Sequence, residues 1–414
     1  MADLRARVFA ALNDQAKGAE WCGVAVSGGG DSMALLHLAA GWARDHARPL
    51  EAATVDHGLR PQARAEAETV ARACASLGIP HSILTWRDHG TGNLMARARE
   101  ARMRLLADWA RGRHADPAIL LGHTRDDQAE TLLMRLMRGA GLDGLAAMQP
   151  ARRAQGALWL RPLLGLGRAE LRDWLRAQGI GWIDDPSNDD DRFDRARARK
   201  TIATLGLNPA ALAQSARLLG ESRDDLAALT WDALRDHLRI EAGDVILPAD
   251  LIARPELTRR ITLAALRFLN GPGYPPRATS VARFIAAART GKAAVLNGVR
   301  VEPGADWRFM REPAACTPPA AAPGEWDRRW RITGPQTPGI TVAAMGRSGL
   351  AALKARNIDW RASGLPYGSA LTSPGLWQRE TLIGAPLLAP DLAPDWRATP
   401  LHTHGDFAHM LFLH

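Results

Sequence analysis

The chain has 414 residues, 46% of them apolar and 23% charged, a balance that excludes a disordered tail and supplies apolar side chains for about two to four domains. No segment approaches the ~20 unbroken apolar residues of a membrane helix, and Cys22, Cys74 and Cys316 lie too far apart for a C-x-x-C pair or a disulfide framework. The net charge of +9 rests almost wholly on arginine, since Lys17, Lys200, Lys292 and Lys354 are the only lysines. Its forked guanidinium suits phosphate, so this excess fits a nucleic-acid partner, although a biased genome composition would give the same count.

Met1 to Lys17 scatters Asp3, Arg5, Arg7 and Asp14 among its apolar positions, which argues against a secretory signal and sets the cytoplasm as the expected location. From Trp21 to about Ile183, short apolar runs predict strands at Gly23–Val26, Ala52–Val55, Ser82–Thr85 and Ala118–Leu121. Between them, apolar residues at three- and four-residue spacing predict helices over Met33–Asp45, Gln62–Leu77 and Leu94–Arg111. Alternation of this kind predicts an α/β domain with a parallel sheet, placed at residues 1–200. Alanine- and leucine-rich stretches, Pro209 to His237 and Pro255 to Arg289, predict a mainly helical middle domain at 201–310. The proline- and alanine-rich residues 311–325 read as an extended linker. Residues 326–414, with short β-type pieces and many turn residues, read as a small α+β C-terminal domain whose histidines, from His402 to His414, fit a solvated tail.

Ligands of open parallel sheets bind at the carboxyl ends of the strands, and there the chemistry-bearing runs lie. The first strand leads into Ser27-Gly28-Gly29-Gly30-Asp31-Ser32, after which helical periodicity resumes. Glycines let the backbone approach a polyphosphate, the helix N-terminus adds its dipole, the serine hydroxyls can donate, and Asp31 can hold Mg²⁺. The alternative is a capped strand-to-helix turn. The run matches neither G-x-x-x-x-G-K-[ST] nor G-x-G-x-x-G, which disfavours Walker and dinucleotide-binding folds. A second run, Val55-Asp56-His57-Gly58-Leu59-Arg60, ends the second strand. A third, Gly122-His123-Thr124-Arg125-Asp126-Asp127-Gln128-Ala129-Glu130, places Asp127 and Glu130 on one helix face, able to hold Mg²⁺ or an ammonium group, or else forming a solvated helix start. With one histidine among these residues, a transition-metal site is disfavoured.

The loop from Ser27 to Ser32 resembles the S-G-G-x-D-S loop of the N-type ATP pyrophosphatases, or PP-loop superfamily, which implies cleavage of ATP to AMP and pyrophosphate. Together the three runs resemble the tRNA(Ile)-lysidine synthetase family. Asn93, Arg99 and Arg102 resemble its N-x-x-x-x-A-R-x-x-R-Y segment, with Met103 in place of the aromatic residue. Arg161-Pro162-Leu163-Leu164 resembles its R-P-L-L segment. Asp185-Pro186-Ser187-Asn188 with Arg195 and Arg199 resembles its D-x-S-N…R-N-x-I-R segment, with Ala196 and Ala198 in place of Asn and Ile. The resemblance is dense over residues 20–200 and thin beyond.

The resemblance implies an ATP-dependent ligase that joins L-lysine to C2 of the wobble cytidine of tRNA(Ile) bearing a CAU anticodon, through an adenylated cytidine, giving lysidine. It implies ATP on Ser27, Gly28, Gly29, Gly30, Asp31, Ser32 and His57, with Mg²⁺ on Asp31. Asp31, Asp127 and Glu130 are the catalytic candidates, Asp127 and Glu130 hold lysine, and Arg99, Arg102, Arg195 and Arg199 meet the tRNA. A homodimer is compatible with this reading. The alternatives are another PP-loop tRNA-modifying enzyme such as a thiolase, or a nucleotide-dependent RNA-binding protein without turnover.

Overall fold

Helix α1 (Ala2–Gln15) leads into β1 (Cys22–Ala25), and from there strands and helices alternate: α2 (Gly30–Asp45), β2 (Leu50–Asp56), α3 (Ala63–Ser76), β3 (His81–Thr85), α4 (Leu94–Arg111), β4 (Ala118–Leu121) and α5 (Arg125–Leu136). The short α6 (Leu142–Leu145), the hairpin β5 (Ala151–Ala154) and β6 (Ala157–Leu160), and helices α7 (Arg168–Ala177), α8 (Asp194–Thr204) and α9 (Pro209–Leu234) follow. This computed structural model describes residues 2–58, 63–87, 94–184, 194–252, 254–271, 273 and 275–413. Arg60, Asn93, the Asp185–Asn188 run and Arg192 lie outside the described residues.

The six strands form one sheet in the order β3-β2-β1-β4-β6-β5. All neighbours are parallel except the β5–β6 hairpin at the edge. Side-chain alternation splits the core. Cys22, Val24, Ala118 and Leu120 pack on one face with α1, α2, α3 and α7, whereas Ala25, Ile119 and Leu121 pack on the other with Leu106, Ala107 and Ala110 of α4. Burial on both faces explains the unbroken apolar runs that marked these strands. The chain builds outward from β1 through β2 to β3, then crosses back to lay β4 on the other side of β1. The carboxyl ends of β1 and β4 therefore flank a topological switch point, where loops part and a ligand can enter.

The chain divides into two units, residues 1–223 and 224–414. In the second, the middle region holds the expected helices α10 (Pro255–Asn270) and α11 (Ala278–Arg289), and also an antiparallel sheet. Its strands are β7 (Arg239–Glu241), β8 (Asp244–Pro248), β9 (Ala294–Leu296), β10 (Val299–Glu302) and β11 (Asp306–Arg311), in the order β7-β8-β11-β10-β9. The reading of this region as mainly helical did not include this sheet, because strands of three to six residues carry too short an alternation to register. Residues 311–325 are likewise not an extended linker. They contain β12 (Ala320–Ala321) and most of β13 (Gly324–Trp326), which pair with β15 (Ile340–Ala344) and β14 (Trp330–Thr333). A buried ion cluster pins this stretch: Asp327 receives Thr317 N–H at 2.9 Å, Arg329 at 2.8 Å and Arg311 at 3.3 Å.

Helices α12 (Gly346–Ala355) and α13 (Tyr367–Thr372) and strands β16 (Pro374–Gln378), β17 (Thr381–Gly384) and β18 (Arg397–Pro400) complete two further small sheets. The final helix, α14 (His404–Phe412), returns to α10, burying Phe407, Met410 and Leu411 in the core of the middle region. His404 Nε2 lies 3.0 Å from the Leu238 carbonyl oxygen, and His402 packs on Phe268, so neither belongs to a solvated tail.

Candidate active site

The loop that leaves β1 is shaped for close approach. Gly28 sits at φ +85°, a conformation that costs a side-chain-bearing residue about 1–2 kcal/mol, and its carbonyl accepts the Ile183 N–H at 2.9 Å. Ser32, in the first turn of α2, ties the loop back: its Oγ accepts the Ser27 N–H at 3.1 Å and donates to the Gly29 carbonyl at 2.9 Å, with Ser27 Oγ 3.2 Å away. The helix N-terminus behind Gly29 carries no side-chain cap. Its first amides and dipole are thus of the kind that receives an anion.

At the end of β4, Gly122 lies against this same turn. A Cβ placed there would stand 3.2 Å from the carbonyl carbon and oxygen of Asp31 and from Ser32 Cα, so only glycine fits without displacing backbone. Two residues on, Thr124 caps α5. Thr124 N–H and Oγ1 donate to Asp127 Oδ2 at 2.8 and 2.9 Å, and Thr124 Oγ1 accepts the Asp127 N–H. This box fixes Asp127 and, one turn later, Glu130. Both are buried, their side chains 8% and 2% exposed.

The structure brings together Asp31, Asp127 and Glu130, which come from two helices, and the group that joins them was not among those singled out from the sequence. Arg168, the first residue of α7, donates from Nε to Asp31 Oδ2 at 3.0 Å and from Nη1 to Glu130 Oε1 at 3.2 Å. Its Nη2 lies 3.5 Å from Asp127 Oδ1. Arg195 and Arg199, predicted to face tRNA, turn from α8 onto the same acids: Arg195 Nη1 to Asp127 Oδ1 at 3.2 Å, Arg199 Nε to Glu130 Oε1 at 3.0 Å. Among the described residues, two buried oxygens, Asp31 Oδ1 and Glu130 Oε2, have no hydrogen-bond partner. His57, half-buried at the end of β2, stands edge-on to Trp86 with ring centroids 5.9 Å apart.

Charge around the acids is uneven. Burial raises the Asp31 carboxyl above its usual range against the pull of Arg168. Burial acts the same way on Asp127, but Arg195, Arg168 and the Thr124 amide outweigh it and hold Asp127 below the carboxylate range. Arg99, Arg102, Arg161 and Arg195 act on one another, and the last three also on His123. Burial together with neighbouring arginines lowers the affinity of Arg99 and Arg102 for their protons, and brings Arg161 down to about 10. Burial, with Arg161, Arg195 and Arg102 adding to it against Asp127, pushes His123 down to about 3, so its imidazole is neutral near pH 7. Cations that destabilise one another form a destination for anions.

Among the described residues no cluster of three or more His, Cys, Asp or Glu could cage a metal by itself. Asp31 Oδ1, buried beside the phosphate-type loop, instead fits the usual arrangement for Mg²⁺, in which one carboxylate and substrate phosphates share the ion.

No local signature marked Arg168, although it lies four residues after the Arg161–Leu164 run. The Thr124-x-x-Asp127 box was not singled out from the sequence, which offered a solvated helix start there as one reading.

Residues 2–205 match the family model described as a PP-loop domain. The chain is 43% identical over 400 residues to the tRNA(Ile)-lysidine synthase of Ruegeria pomeroyi, covering 95% of this chain and 94% of that one. It is 36% identical to the synthase of the same name from Mesorhizobium japonicum, covering 96% and 90%. Among solved structures, a U34-tRNA thiolase from Methanococcus maripaludis covers 53% of this chain and 77% of its own, at a TM-score of 0.45 and 19% identity. With nearly the whole length of both synthases matched, the chain belongs to the tRNA(Ile)-lysidine synthase family.

Proposed function

We propose that this protein ligates L-lysine to C2 of the wobble cytidine in the CAU anticodon of tRNA(Ile), at the expense of ATP. The observation that carries the reading is a pair of buried carboxylate oxygens without a hydrogen-bond partner among the described residues, on opposite sides of the switch point: Asp31 Oδ1 on the phosphate loop and Glu130 Oε2 on α5. The first suits the polyphosphate and its cation, the second an ammonium.

In this scheme Ser27, Ser32 and the amides of Gly28, Gly29 and Gly30 receive the β- and γ-phosphates, with His57 at the rim of the nucleotide site. Asp31 would hold Mg²⁺, which neutralises the charge that builds on the departing pyrophosphate. The cytidine O2 attacks the α-phosphorus and pyrophosphate leaves. The lysine ε-amine then attacks C2, the C2–O bond breaks, and AMP departs. Asp127 and Glu130 hold the ε-ammonium and ease the loss of its proton. The cytidine must leave its stack to reach this site, and Arg99, Arg102, Arg195 and Arg199 hold the flanking backbone. Since Arg195 and Arg199 lie on Asp127 and Glu130, tRNA phosphates drawing them away would release the acids for lysine.

Thiolation is the weaker reading. Cys22 and Cys74 are buried in the sheet domain, where burial pushes both thiols up to about 11, and Cys316 lies in the other unit. A thiolate pair for sulfur relay is not supplied by these positions. A tRNA substrate fits a cytoplasmic location, and a homodimer is compatible with this reading. The test is incubation with ATP, Mg²⁺, radiolabelled lysine and a CAU-anticodon tRNA(Ile) transcript. ATP-dependent label in the RNA, with AMP formed one for one, supports the reading. AMP release without label would refute lysine as the substrate.

A further inference from the structure

Arg168 has a different standing from the other arginines of the site. Its side chain is 19% exposed, against 36% for Arg195 and Arg199, and its root is fixed because its own N–H donates to Asp126 Oδ2 at 2.8 Å. From that anchored position one guanidinium reaches all three acids, which belong to α2 and α5. Three carboxylates this close repel one another and would swing apart or take up protons without a cation between them. A planar fork of donors satisfies them at fixed angles, which a single ammonium cannot do. The contacts also decide which oxygens remain. Arg168 occupies Asp31 Oδ2 and Glu130 Oε1, and Asp31 Oδ1 and Glu130 Oε2 are left without a partner among the described residues.

We infer that Arg168 is a positioning residue of the ligation: it sets the spacing between the phosphate-side acid and the amine-side acids, and so orients the two carboxylate oxygens that receive magnesium–ATP and the lysine ammonium. The inference rests on the ligase reading. It also links the two halves of the reaction, because the same guanidinium holds Asp31 and Glu130. Arg195 and Arg199 are exchangeable for tRNA phosphates in this arrangement, and Arg168 is not.

The test compares the full-length parent with Arg168→Ala and Arg168→Lys. Formation of adenylated tRNA without lysine is followed separately from lysine transfer, with and without added guanidinium. Lysine KM is expected to rise roughly tenfold to hundredfold in Arg168→Ala, as it does for displaced binding groups. The Lys variant should fall between the two, and guanidinium should restore Arg168→Ala in a saturable way. Unchanged lysine KM in a folded Arg168→Ala protein overturns the inference, as does a loss that neither guanidinium nor lysine at position 168 repairs. If the alanine protein does not fold, the lysine variant decides: KM equal to the parent's overturns the inference, and a raised KM lowered by guanidinium supports it. Failure of the parent itself to attach lysine would instead refute the ligase reading.

Discussion

Replacing Gly122 with alanine tests whether the site depends on the close approach of β4 to the phosphate loop. The added Cβ would lie 3.2 Å from Asp31 C, Asp31 O and Ser32 Cα, all backbone atoms in the first turn of α2. A relaxed contact is 3.4 Å or more, so the turn must move by a few tenths of an ångström. Inserting a methyl group into a packed contact costs about 1–3 kcal/mol. In a unit of this size each kcal/mol lowers Tm by about 2–4 °C, which gives a fall of roughly 2–12 °C. The displacement also carries Asp31 and Ser32 away from Asp127 and Glu130, so AMP formation should drop about tenfold or more even where the protein is fully folded. Gly165→Ala is the control, since a Cβ there meets nothing within 4 Å. Melting curves with and without ATP, together with the rate of AMP release, decide the matter. A Gly122→Ala protein that melts and turns over like the Gly165→Ala protein would refute the packing argument.

Histidine 123 should govern the acid side of stability in the first unit. An unfolded histidine takes its proton near about pH 6.5, whereas folded His123 does so only near about 3. Acidification therefore favours the unfolded chain, and stability should decline as pH falls below about 6.5. Denaturant titrations between pH 4.5 and 7 should show this decline flattened in His123→Gln, and an equal slope in both proteins would count against it. Arg195→Ala should weaken tRNA binding for all sequences alike and reduce the salt slope by about one; an unchanged slope in filter-binding assays would mean that Arg195 meets no phosphate. Deleting residues 404–414 removes Phe407, Met410 and Leu411 from a buried core, at about 1.5–3 kcal/mol each. The second unit should then become sensitive to limited proteolysis while ATP binding persists, and undiminished resistance would show that α14 contributes little.

The sheet domain was legible because its signals are local. Strands buried on both faces give unbroken apolar runs, as at Ala118–Leu121, and helix α4 spans Leu94–Arg111 as its periodicity predicts. The loop from Ser27 and the acids on α5 were legible for the same reason, since each is a short run of unusual residues. What escaped was non-local. Arg168 meets Asp31 across 137 positions, and nothing beside it distinguishes it from the chain's many other arginines. The hairpin at the sheet edge escaped because β5 is largely exposed, its Ala151, Arg152 and Arg153 showing no apolar alternation. Its turn was nonetheless signalled by Gln155-Gly156, both at positive φ. Residues 311–325 read as a linker on composition alone, yet Asp327, Arg311 and Arg329 bury a charge cluster that fastens them.

In the proposed reaction one end of the site activates cytidine while Asp127 and Glu130 handle lysine. The direct measurement is a single turnover with ATP labelled at the α-phosphate, tRNA(Ile) and lysine, comparing the parent with Asp127→Ala. In the parent the label is expected to pass through the tRNA and leave as AMP, and in Asp127→Ala to accumulate on the tRNA because the amine fails to displace it. Equal rates of AMP departure in the two proteins would refute a role for Asp127 in the attack of the amine.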